Sequence, residues 1–141
     1  VTVFAALANP FGNTDLSIWG ILLAGYVGGL TAWADAESGP GDSSIWPVAG
    51  LSAPALYAWM AAPTTGSLLL GAGFLTWVTY CGYRMLPTGG RDIGGAVGGL
   101  LAGICLFDAL VIRAGGGGWA TGVALGCFGL TLLLHRYIDG T

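Results

Sequence analysis

The chain has 141 residues, 55% of them apolar and 8% charged, with a formal charge of −3. A soluble domain carries about a quarter charged residues, so four Arg, no Lys, seven acidic residues and one His are too few to coat a water-soluble globule of this size. The same figures exclude disorder, the 27 glycines follow no G-X-Y period that would suit collagen, and the scattered charge supplies no basic face for nucleic acid.

An integral membrane protein remains, read as a single transmembrane helical domain over residues 1–141. A helix needs about 20 mostly apolar residues to cross a hydrocarbon core roughly 30 Å thick. Val1 to Ala8 is apolar but has no initiator Met and no positive flank, so it does not read as an intact signal peptide. Leu16 to Ala34 is the first span, opened by Asp15, where a carboxylate suits the helix dipole. Asn9, Asn13 and Asp15 read as capping or turn residues.

DAESGPGDSS, from Asp35 to Ser44, reads as a polar loop, and Ile45 to Ala62 as a second span weakened by Pro47 and Pro54. Pro63-Thr64-Thr65 makes a turn, Ser67 to Leu86 a third span stopped by Pro87 and Gly89-Gly90, and Ile93 to Ile112 a fourth. Gly115 to Gly118 is expected to be a flexible break before the fifth, Trp119 to Ile138. The expected architecture is therefore an all-α membrane bundle of about five transmembrane helices, or four if the proline-bearing segment does not cross.

With five spans, Arg84, Arg91 and Arg136 fall on one side and Arg113 on the other, which puts the C-terminus in the cytoplasm by the positive-inside rule. Trp19, Trp33, Trp46, Trp59 and Trp119 lie near expected span ends, as interfacial aromatic belts would place them, and Trp77 lies mid-span.

Glycine spacing is the most informative local pattern. Gly95, Gly99 and Gly103 recur every four residues, as do Gly94 with Gly98, Gly25 with Gly29, and Gly122 with Gly126. Each set lies on one helix face and makes a groove where another backbone can approach. The same groove would admit a quinone ring, a prenyl tail or a pigment.

Few side chains could carry chemistry. Asp108 is the acidic residue inside a strong span, near enough to its Arg113 end to reach water, Thr121, a ligand or a partner subunit. His135 and Arg136 suit a helix C-terminus as interfacial anchors. His135 could also be an axial ligand to haem or chlorophyll, although no second His exists for bis-His haem. Cys81, Cys105 and Cys127 are too widely spaced for a metal site and read as small apolar side chains. Asp35, Glu37 and Asp42 lack the spacing of paired carboxylates holding Mg²⁺ on a diphosphate, and the 141 residues contain no D-x-x-x-D pair.

Two stretches resemble a known group. GYVGGLTAWADAESG, at Gly25 to Gly39, is similar to a helix-to-loop segment in the later part of bacterial UbiA-type prenyltransferase-like membrane proteins. Gly99 to Thr141 resembles their closing helix pair, through Phe107-Asp108-Ala109 and the ending from Arg136 to Thr141. ALANPFGNT is a poorer echo of an Asn- and Gly-bearing segment and lacks its Arg.

The resemblance implies an all-helical bundle corresponding to about the last half of such a protein. Family members bind a polyprenyl diphosphate through two Asp-rich motifs and Mg²⁺, and neither motif stands in this sequence, so no catalytic or metal residue is carried over. The expected function is a non-catalytic membrane subunit in a larger photosynthetic or respiratory complex of a bacterial inner or photosynthetic membrane. It would contact lipids and other membrane subunits, with quinone, carotenoid or chlorophyll as the candidate ligands. The alternative is part of a split or truncated polyprenyl-diphosphate-dependent aromatic prenyltransferase.

Overall fold

A computed structural model describes residues 13–36, 46–85 and 92–138, without the side chains of 13–16, 36, 46, 93 and 136–138. Among the described residues it contains five helices and no strand: α1 Asn13–Ala36, α2 Trp46–Ala61, α3 Thr65–Met85, α4 Ile93–Ala114 and α5 Gly118–Ile138. The 37–45 segment, Gly89-Gly90 and Arg91 lie outside the described residues.

Three of the five helices are long and apolar enough to cross a membrane: α1, α4 and α5. The expected count of five is therefore met only as a count of helices. α2 has 16 residues, or about 24 Å at 1.5 Å per residue, which is short of the hydrocarbon thickness. α3 has 21 residues, but its Thr, Ser, Gly and Arg84 content dilutes its apolarity.

Consecutive helices run antiparallel. Gly29 meets Pro47 while Gly50 meets Gly25, Arg84 meets Gly95 while Trp77 meets Gly103, and Gly98 meets His135 while Ile112 meets Gly117. α4 is the axis of the bundle, packing against α1, α2, α3 and α5. Of its membrane-length window 61% is buried, against 11% for α5, which packs along α4 and reaches α3 through the Trp77–Phe128 ring pair.

Two aromatic clusters pack against α4. Trp19 meets Tyr57 and Phe107 edge-on at centroid distances of 5.0 and 5.8 Å, and Tyr26 leans on Phe74 and Phe107. Trp77 contacts Tyr80 and Phe128, and its indole approaches the Gly103 position that the Tyr26 hydroxyl also approaches. Trp19 is thus a core residue rather than part of an interfacial belt, because the space between α1, α2 and α4 needs a large apolar side chain there. Trp33 lies over Gly82, Trp59 donates its indole N–H to the Ser67 carbonyl, and Trp119 stands fully outward at 84% exposure.

The turns are short and well defined. Thr64 accepts from the Ser67 amide at 3.2 Å and so caps α3. α4 ends with Gly115, Gly116 and Gly117 donating back to the Val111, Arg113 and Ile112 carbonyls. Gly116 has φ of 80°, a conformation that side chains beyond glycine resist. The break expected at Gly115 to Gly118 is a hydrogen-bonded turn joining α4 to α5.

Candidate functional site

The glycine track of α4 was expected to admit another backbone. It instead receives side chains. A Cβ on Gly95 would come within 2.5 Å of the Asp92 carboxylate and 2.8 Å of the Arg84 guanidinium, and one on Gly99 within 2.8 Å of the Cys81 Sγ. A Cβ on Gly103 would lie 2.5 Å from the Tyr26 hydroxyl. Over this track Trp77 donates its indole N–H to the Gly99 carbonyl at 2.8 Å, and Tyr26 donates to the Leu100 carbonyl at 2.7 Å.

Close backbone approach does occur where α1 crosses α2. A Cβ on Gly50 would sit 2.5 Å from the Gly25 carbonyl oxygen, and one on Gly29 would sit 2.8 Å from the Pro47 oxygen. Gly122 and Gly126 differ from both sets. They are exposed on α5, and a Cβ on either would have no neighbour within 4 Å among the described residues.

One polar cleft of about 370 Å³ opens where α3 ends, α4 begins and α5 ends, lined by Trp77, Arg84, Asp92, Gly95, Gly99, Leu132 and His135. Asp92 organises its rim. Its Oδ1 accepts from the Gly95 amide at 3.0 Å, capping α4, and its Oδ2 is ion-paired with Arg84. The Arg84 guanidinium also stands 5.9 Å from the Tyr80 ring centroid. The His135 ring lies against Gly98, where a Cβ would come within 2.9 Å of the imidazole Cε1.

The expected contact residues are thus divided. His135 joins this cleft, whereas the Arg136 side chain lies outside the described residues. Arg113 is at the opposite end of the bundle, half-buried, with its guanidinium over Gly66. Asp108 is half-buried in α4, and no hydrogen bond or ion pair joins it to another described residue. Thr121 is not its partner, because the Thr121 hydroxyl donates to its own helix at the Gly117 carbonyl.

Asp92 was missed by the sequence reading. The available signal was an Asp immediately before an apolar run, the ordinary mark of a helix N-cap. Among the described residues no group of three or more His, Cys, Asp or Glu side chains could hold a metal ion. No protein-family model, curated protein or solved structure matches the chain.

Proposed function

We propose that this chain is a membrane-embedded helical subunit that docks through α5 against a neighbouring subunit of a larger assembly. One observation carries the reading: among the described residues, α5 presents the Gly122/Gly126 track with no neighbour within 4 Å, and its Trp119, Val123, Leu130, Leu133 and Leu134 side chains are exposed. Small residues four apart let helices approach closely in lipid, where packing rather than water exclusion drives association.

The hydroxyl pattern supports immersion in lipid. Thr31, Thr76, Thr79 and Thr131 each donate to the carbonyl four residues earlier in their own helix. A hydroxyl facing hydrocarbon has no water to bond, so an internal acceptor removes most of the cost of placing it there. On this reading α2 and α3 complete a five-helix membrane bundle with α1, α4 and α5, and the end bearing Arg84 and His135 faces the cytoplasm. The UbiA-like resemblance enters as the origin of the helix-pair pattern around Phe107-Asp108-Ala109, without a transferase role for these 141 residues.

Mild detergent extraction from native membranes, followed by mass spectrometry and an absorption spectrum, tests the proposal. The chain should migrate with a large assembly and leave it when Gly126 is changed to Leu. A small colourless complex with an Asp-rich membrane partner and Mg²⁺-dependent prenyl transfer would overturn it.

A further inference from the structure

We infer that the cleft between α3, α4 and α5 binds the phosphate headgroup of a membrane phospholipid. The hydrogen-bonding inventory points to an oxygen-rich, anionic guest. Both Asp92 oxygens are engaged, one by the Gly95 amide and one by Arg84. The Trp77 N–H is committed to the Gly99 carbonyl. Among the described residues, what the lining still offers is the remaining guanidinium N–H groups of Arg84 and the imidazole of His135. A guanidinium has five N–H donors in a planar fork that matches phosphate oxygens.

Shape and place narrow the guest further. About 370 Å³ lies at the small end of ligand sites, enough for a headgroup while the chains remain outside. Its apolar lining is the Trp77 indole and Leu132, beside the Gly95 and Gly99 backbone. The cleft lies at the ends of three helices, the level at which lipid headgroups meet a membrane bundle. A phosphate therefore meets Arg84 and His135 while its glycerol and first methylenes run along Leu132 and Trp77. Arg84 can share its charge cheaply, because its pair with Asp92 is partly exposed, at 33% and 48% of the two side chains.

This inference rests on the membrane reading above, and the test separates the two. The full chain, washed as membranes with alkaline carbonate and then purified in mild detergent, is titrated with phosphatidylglycerol and followed by native mass spectrometry. Arg84→Gln and His135→Gln should each weaken lipid occupancy about tenfold, the loss of one charge-assisted hydrogen bond. Leu132→Trp should weaken it comparably by filling the cleft without touching a polar group, which covers the case in which Arg84→Gln fails to fold. Equal occupancy in wild type and in Leu132→Trp would overturn the lipid site. So would inorganic phosphate displacing the lipid at equal concentration, since the apolar wall would then contribute nothing. Release of the chain by carbonate would instead overturn the membrane reading itself.

Discussion

The Tyr26 hydroxyl stands 2.5 Å from where a Cβ on Gly103 would be, and it donates to the Leu100 carbonyl at 2.7 Å. A residue on α1 thereby fixes both the height and the rotation of α4. Interhelical hydrogen bonds within membranes average about 0.6 kcal/mol, so Tyr26→Phe should lower stability only slightly. Gly103→Leu should cost more, about 1–3 kcal/mol from overpacking a filled groove. Thermal unfolding in detergent should rank the two in that order.

Gly99 and Gly126 have the same spacing role in sequence and opposite surroundings. Gly99→Leu should destabilise the isolated chain, because the Cys81 Sγ already lies 2.8 Å from the added Cβ. Gly126→Leu should leave the isolated chain's melting midpoint unchanged and reduce its recovery with the native assembly. Parallel melting and co-purification of both variants check the distinction.

Asp92 caps α4 and pairs with Arg84, and the cap is the larger contribution. Asp92→Ala should cost about 0.5–2 kcal/mol, whereas Arg84→Ala removes a partly exposed pair worth about 0–1 kcal/mol. Asp92→Asn keeps a capping oxygen and should resemble Arg84→Ala. Hydrogen exchange at the Gly95 amide reads the cap directly.

The α4–α5 turn makes a positional prediction. Gly116→Ala should destabilise by about 1–2 kcal/mol, the cost of a left-handed backbone for a residue bearing a Cβ. Gly115→Ala should be nearly neutral, since Gly115 has an ordinary φ of −79°. Comparing the two melting midpoints separates backbone strain from loss of a glycine as such.

Asp108→Asn should insert normally. The carboxylate is only half-buried, and no hydrogen bond or ion pair joins it to another described residue. Glycosylation mapping of the α4 ends would reveal any failure to insert.

The helices were legible because apolar runs and breakers act locally: the bounds of the expected segments agree with those of helices α1–α5 to within a few residues, including passage through Pro54, although three of the five are long and apolar enough to span. Spacing also identified Gly95, Gly99 and Gly103 as one face. What filled that face was not legible, since Tyr26 lies 77 positions from Gly103 and its arrival depends on how α1 packs. The cleft was half legible for a related reason. His135 stands out as the single histidine, but its meeting with Arg84 and Asp92 requires three helix ends to coincide, and no local pattern encodes that. The same holds for Trp19, whose position near a span end suggested an interface although the packing of α2 and α4 draws it inward.

The turn of Gly115, Gly116 and Gly117 also bears on biogenesis. A connection of three residues reaches only about 10 Å even when extended, so α5 cannot wander from α4 while it waits for a partner. In a chain embedded in the membrane as proposed, the pair would enter the bilayer as one hairpin, carrying Arg113 across with it if the opposite end stays in the cytoplasm. Lengthening this connection should then uncouple the two insertion events and let the last helix be left behind.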